Sequence, residues 1–443
     1  KGSEQISRYS FIAIEPYLIF RAKDGVVEID CLERKTVAYR RPLQCLRELV
    51  KAVSQDFVEG LPPFQGGAAG MFSYDFVRYF ENIPSATEDD LSIPDAHFFM
   101  FDRIIAFDLK KEQCWIIICP GVRDAVPGFL HNSKSQEDLH EEARKHIERI
   151  AMLIEQDPET ASREPGRKTV AVIAETDIEQ YMAMVRRAKE YIAAGDIFQA
   201  NLSLRLSADI GDADPLDVYE ILREVNPSPF AAYLDFGGYQ IVSSSPERLV
   251  RVKGRDVDTR PIAGTRPRGK DLQGDDEMKA ELLLNEKERA EHIMLIDLER
   301  NDMGKVCDYG SLHVDELMTT EQYSHVIHIV SNVRGKLAEG MDCFDVIRAT
   351  FPGGTITGVP KVRCMEIIDE LEQKRRGPYT GSIGYIGYNG NMDLNIIIRT
   401  FLIKQEKAYV QAGAGIVADS DPEREYYESL KKAEALINTL KKL

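Results

Sequence analysis

An α+β fold is what these 443 residues predict, and three observations predict it. β-Branched and aromatic runs alternate irregularly with amphipathic helical stretches, nothing repeats at a fixed period, and the composition, 43% apolar and 29% charged, suits a large buried core. A doubly wound parallel sheet would alternate strand and helix regularly, so it is not expected. The length allows about two to three domains or one large interleaved body. With 73 acidic against 56 basic residues the net charge is -17, which repels a phosphate backbone and excludes nucleic acid as a partner. No run of about eighteen uncharged apolar residues appears and no export signal is read, so neither a membrane span nor secretion is expected. The seven cysteines include no C-x-x-C pair, which fits free thiols in a reducing cytoplasm.

Taken in order, residues 9–30 and 97–120 read as strands, from runs such as Tyr9-Ser-Phe-Ile-Ala-Ile14 and Cys114-Trp-Ile-Ile-Ile-Cys119. Between them, Phe64-Gln-Gly-Gly-Ala-Ala-Gly-Met-Phe-Ser-Tyr74 suits either close backbone packing in a sheet or a binding loop. A charged helical segment from Asn132 runs to about Lys168, and its end, Asp157 to Gly166, is the best linker candidate because proline, glycine and polar residues stop the period. Beyond it, Asp177 to Ala194 predicts an amphipathic helix closed by Gly195, and Phe198 to Leu206 a strand.

The candidate chemistry lies farther on. Glu288 and Glu291 share a helix face at i, i+3, and Glu425 and Glu428 repeat that spacing, with Lys432 one turn beyond. A single such pair on an acidic chain is usually a solvated face; two faces meeting would offer the hard oxygen ligands that magnesium takes. Phe351-Pro-Gly-Gly-Thr-Ile-Thr-Gly-Val-Pro-Lys361 is a glycine-rich loop entering a helix whose first turn should hold Pro360. Its amides and the Thr355 and Thr357 hydroxyls could bind an anion or simply form a capped turn. Gln411-Ala-Gly-Ala-Gly-Ile-Val417 reads as a strand whose glycines admit close approach of a ligand, followed by Asp421-Pro422 as a helix start. Arg399, ending Asn395-Ile-Ile-Ile-Arg399, is expected in a buried strand, where it needs an internal carboxylate or an anionic substrate. His325 and His328 occur in Tyr323-Ser-His-Val-Ile-His328, where a lone His is more often structural than functional.

With Pro261-Ile-Ala-Gly-Thr-Arg-Pro-Arg-Gly269, Leu295-Ile-Asp-Leu-Glu-Arg-Asn-Asp302 and the GGTITGVPK loop in this order, the chain resembles the chorismate-utilising enzymes: the large subunits of anthranilate and aminodeoxychorismate synthases and, more distantly, isochorismate and salicylate synthases. The resemblance runs from Tyr9 to the C-terminus. It implies an interleaved body with two packed antiparallel β-sheets surrounded by helices. An N-terminal lobe, 1–160, would be a candidate for regulation and partner contact, and 161–443 would form the chorismate-binding catalytic domain. It further implies magnesium on Glu288, Glu291, Glu425 and Glu428, and chorismate's carboxylates on Tyr379, Arg399, Gly413, Gly415 and Lys432. Thr355 and His328 would lie near the ring, and Glu247, in Ser243-Ser-Ser-Pro-Glu-Arg248, would be the acid.

Isochorismate and salicylate synthases place a lysine base for water where this chain has Gln199, and a neutral amide cannot deprotonate water, so the resemblance implies ammonia as nucleophile. Ala263, followed by Gly264 and Thr265, gives the PIAGT usual in anthranilate synthases, where many aminodeoxychorismate synthases carry a lysine. Phe198-Gln-Ala-Asn-Leu-Ser203 and Asn226-Pro-Ser-Pro-Phe-Ala-Ala-Tyr-Leu234 instead resemble the aminodeoxychorismate branch, whose Bacillus-type members combine this pattern with PIAGT. The expectation is amination of chorismate to 4-amino-4-deoxychorismate, with anthranilate formation as the alternative. No Cys-centred G-x-C-x-G signature occurs, so ammonia should come from a separate glutamine amidotransferase subunit in a heterodimer. A silent subunit sensing an amino acid is a further possibility, against which the complete set of four glutamates argues.

Overall fold

The computed structural model describes residues 7–31, 34–125, 135–156, 170–269, 271–322 and 326–443. The expected linker at 157–166 and His325 fall outside them. Two large sheets dominate, as expected, and every strand pairing described within them is antiparallel. The twelve-stranded sheet runs from Ile262–Pro267 at one end to Arg34–Tyr39 at the other, and the two halves of the chain join where Gly67–Phe72 pairs with Ser382–Gly387. The seven-stranded sheet carries Phe230–Asp235, Gln240–Ser245, Thr400–Lys404, Lys407–Ile416, Gln199–Asp209 and Gly358–Val359 in that order, with Val172–Ala174 beside Gln199–Asp209. A third sheet of three strands, Tyr9–Ala13, Arg103–Asp108 and Gln113–Ile118, was not anticipated. It arises because the chain breaks at Asp102, held by both Arg123 nitrogens at 2.7 and 3.0 Å, and leaves the large sheet after Ala96–Phe101.

The glycine-rich stretch around residue 70 turns out to be sheet interior. A Cβ on Gly70 would lie 2.1 Å from the His97 carbonyl oxygen, so the side chain is absent to let neighbouring strands close. Met71, Ile383 and Phe99 of the large sheet meet Ile241, Leu402 and Phe236 of the smaller one in an apolar layer. The other face of the smaller sheet is covered by the helices Ile178–Ala193, Pro215–Val225 and Pro422–Leu440 through Tyr181, Leu222 and Leu436. Burying each such side chain contributes about 1.5–3 kcal/mol.

The predicted helix starts are chemically explicit. Asp177 Oδ1 accepts from the Gln180 amide, and the Asp177 amide donates back to Gln180 Oε1 in a capping box. Asp421 accepts from the Arg424 amide with Pro422 behind it, and Asn285 accepts from the Glu288 amide. Two local expectations need correction. Pro360 is the residue before the helix Lys361–Leu371 rather than part of its first turn, and no side chain caps that helix; the Thr357 hydroxyl instead donates back to the Gly353 carbonyl at 3.0 Å. The Ile396–Arg399 run is irregular and links Met392–Asn395 of the large sheet to Thr400–Lys404 of the smaller; Arg399 itself has φ +51°. Its apolar residues are buried by this crossing between sheets, which a sequence pattern reads as a strand. No described helix is long and apolar enough to cross a membrane.

Candidate active site

The helix Glu286–Gly304 presents Glu288 and Glu291, and Pro422–Leu440 presents Glu425 and Glu428, near one another through two shared cations. Lys432 and Lys287 both act on Glu291 and on Glu425. Burial, followed by the adjacent Glu288 carboxylate, lifts Glu291 above the usual carboxylate range against the pull of Gln199, whose Nε2 donates to Glu291 Oε1 at 3.1 Å. Glu425 is likewise raised by burial and by Glu428. Lys432 Nζ lies 3.0 Å from Glu428 Oε1 and donates to the Gly413 carbonyl at 3.0 Å. Glu288 Oε1 accepts from Arg266 at 3.3 Å.

Opposite these helices, the turn before the strand Arg248–Lys253 buries Glu247 at 6% exposure. Burial raises its carboxyl to about 7, opposed by the Thr355 hydroxyl, the Ile262 amide, and the charges of Arg399 and Lys432. His328, in the strand Val326–Lys336, is pushed down to about 3 by burial and by Arg399, so its imidazole is neutral. Its Nδ1 lies 3.2 Å from the Gly264 carbonyl, which makes Nδ1 the donor and leaves Nε2 with the lone pair. Gly264 forms a bulge between Ala263 and Thr265, with φ +60°, and a Cβ there would lie 2.8 Å from Glu288 Oε2. Thr265 pairs in register with His328, and Ala263 is buried.

Two buried oxygens here, Gln199 Oε1 and Asn201 Oδ1, lack a hydrogen-bond partner among the described residues. Buried polar atoms are rarely left so, and their concentration in one place suits a polar ligand. The glycines Gly413 and Gly415 serve a nearer purpose than ligand approach. Cβ atoms there would meet Leu202 O at 2.4 Å and Gln199 Nε2 at 2.2 Å, so they admit the neighbouring strand Gln199–Asp209 and its side chains. Tyr379 stands off in the turn before Ser382–Gly387, buried beside Arg376, whose guanidinium lies 5.6 Å from its ring. Arg376 ties that turn to the Thr355 loop and to Gln199–Asp209 by donating to the Ile356 and Asn201 carbonyls at 3.0 and 2.6 Å.

Asn201, Lys287 and Arg376 were not picked out from the sequence. The signals were present: Asn201 inside the Gln-Ala-Asn motif, Lys287 set between Glu286 and Glu288, and Glu372/Arg376 at helical i, i+4 spacing. As the carboxylates stand, no three His, Cys, Asp or Glu side chains among the described residues are grouped closely enough to hold a metal ion. The donor chemistry nevertheless fits magnesium: two pairs of hard carboxylate oxygens, with Glu291 and Glu425 raised first by burial and then by the neighbouring carboxylates, a buried negative charge that a divalent cation would offset.

A sequence profile described as chorismate binding enzyme matches residues 3–438. The chain belongs to the chorismate binding enzyme family. Aminodeoxychorismate synthase component 1 of Bacillus subtilis (strain 168) is 45% identical over 98% of this chain and 89% of that protein. Anthranilate synthase component 1 of Acetivibrio thermocellus is 42% identical over 99% of this chain and 88% of its own. The crystal structure of anthranilate synthase component I from Streptococcus pneumoniae TIGR4 superimposes with a TM-score of 0.83 at 36% identity, covering 96% of this chain and 91% of that one. This chorismate-utilising enzyme thus has the expected architecture, and two reaction types stand nearly equidistant from it.

Proposed function

We propose that this enzyme aminates chorismate with ammonia to 4-amino-4-deoxychorismate, the precursor of 4-aminobenzoate and folate. Ammonia as nucleophile is supported by Gln199, a neutral side chain donating to Glu291 and beside Gly415, which cannot take a proton from water, and the 4-amino product by the likeness of Phe198–Ser203 and Asn226–Leu234 to the aminodeoxychorismate branch. Glu247 supplies the acid. A carboxyl at about 7 is partly protonated at neutrality and can give its proton to the departing C4 hydroxyl as water forms. With Ala263 unable to form a covalent adduct, ammonia adds directly at C2 as the C4 hydroxyl leaves as water, and a second ammonia enters at C4 as the first leaves C2.

Arg399 and Lys432 bring positive charge beside Glu247, suited to a dianionic substrate approaching a chain of net charge -17. His328, neutral at working pH, faces the ring as a hydrogen-bond partner, not as a cation. Magnesium bound by Glu288, Glu291, Glu425 and Glu428 would supply a Lewis acid for a substrate carboxylate. Ammonia would be delivered by a separate glutamine amidotransferase subunit.

Anthranilate formation with loss of pyruvate is the second reading, favoured by Ala263 in PIAGT and by the anthranilate synthase relatives. Incubation with chorismate, ammonium and magnesium separates them. The amination reading expects a non-fluorescent amino product that yields 4-aminobenzoate once a lyase is added; direct appearance of fluorescent anthranilate overturns it. If glutamine replaces ammonium, turnover should need the added amidotransferase.

A further inference from the structure

The strand Gln199–Asp209 turns alternate residues to opposite faces: Leu202, Leu204 and Leu206 enter the core beneath the helices, while Gln199, Asn201, Ser203 and Arg205 face the other way. Along that second face the protein satisfies the far pair and not the near one. Ser203 Oγ donates to Glu372 Oε1 at 2.8 Å and accepts from Gln411 Nε2 at 2.8 Å, and Arg205 is held by Asp90 and Glu175. Gln199 and Asn201 each keep a buried carbonyl oxygen, Oε1 and Oδ1, with no partner among the described residues. Asn201 pairs in register with Gly415, and Cβ atoms on Gly415 and Gly413 would lie 2.2 Å from Gln199 Nε2 and 2.9 Å from Asn201 Oδ1. Both side-chain amides therefore lie over the bare glycine backbone of Lys407–Ile416. The main chain of Asn201 is fixed independently: its amide donates to the Thr357 carbonyl at 2.9 Å and its carbonyl accepts from Arg376 at 2.6 Å.

An amide carbonyl oxygen only accepts, so these two atoms suit a ligand with hydrogens to donate and disfavour the carboxylates of an anionic substrate. Gln199 Nε2 is committed to Glu291, which fixes Oε1 as the other end of that amide. Ammonia carries three N–H bonds and one lone pair. Two acceptors that take two of those hydrogens leave the lone pair for carbon, whereas a donor in their place would occupy it. We propose that Asn201 binds the entering ammonia, its Oδ1 and Gln199 Oε1 each accepting one N–H. The proposal rests on ammonia as the nucleophile and holds for either amination product, because both take their nitrogen from it.

The test varies ammonium at saturating chorismate in Asn201→Leu, which keeps the bulk, and Asn201→Ala, which cannot overpack. Both should raise KM for ammonium by about tenfold, the loss of one hydrogen bond. KM for chorismate and the melting temperature should stay near wild type, because Oδ1 bonds no described residue. A merely structural asparagine would instead lower the melting temperature or move both KM values together, and that result overturns the proposal. So does an unchanged KM for ammonium in both variants, which leaves the two oxygens to bound water. A rise in only one of the two variants reports altered packing and overturns it as well. Failure of ammonia as the nucleophile would show separately, as wild-type turnover of chorismate that does not respond to ammonium.

Discussion

Glu247 follows Pro246 at the end of the strand Gln240–Ser245, and this turn carries its carboxyl into the interior, where burial outweighs Arg399 and Lys432. Replacing it with Gln keeps the shape and removes the proton, so turnover should fall by about 10²–10⁴-fold with the fold intact. Because the acid must enter the cycle protonated, wild-type activity should decline as pH rises above about 7, and a steady-state pH profile checks this. The sign for stability follows from the same shift: the folded state holds a proton that the unfolded chain releases near 4.5, so stability is lost as pH rises from there to about 7. Glu247→Gln should therefore melt higher than wild type at pH 8, even while inactive. A serine-rich turn with one glutamate showed none of this in the sequence. Resemblance singled out Glu247; the closing of strands around it set its proton affinity.

Among elements, the paired strands Gln199–Asp209 and Lys407–Ile416 form one wall of the site. Gly415→Ala would place a methyl 2.2 Å from Gln199 Nε2, the flexible end of a side chain. The expected outcome is a fold that melts near wild type, with Gln199 displaced from Glu291 and a raised KM for ammonium, measured by varying ammonium at saturating chorismate. Gly70→Ala meets unyielding backbone, the His97 carbonyl, between two hydrogen-bonded neighbours. It should destabilise by about 1–3 kcal/mol in denaturant titration, with KM unchanged. Both strands and helices were largely legible: the helix after Asp177 and the helix start at Asp421-Pro422 fall where the sequence pattern placed them. The Ile396–Arg399 crossing was not, because Ile396 and Ile397, buried where the chain passes between two sheets, carry the same apolar pattern as a strand buried within one.

At the scale of the molecule, the two glutamate helices are brought together by packing on different sheets, Glu286–Gly304 against Ile262–Pro267 and Val326–Lys336, and Pro422–Leu440 against Lys407–Ile416. A divalent cation shared between them would bind the folded state alone, so magnesium at a hundredfold excess over its Kd should add about 2.7 kcal/mol of stability. Thermal melts with magnesium against chelator check this, and Glu428→Gln should abolish most of the increment. An increment unchanged in that variant would place the ion elsewhere.

From the sequence alone came the fold class, the start of one site helix at Asp421-Pro422, the two Glu-x-x-Glu faces and, through resemblance, the chemistry to look for, because these are properties of neighbours along the chain. Tertiary structure alone decided that Lys432 and Lys287 act on Glu291 and Glu425 alike, and that Glu247 is buried. Charge and proton affinity depend on what surrounds a group in space, and here those surroundings come from segments more than a hundred residues apart.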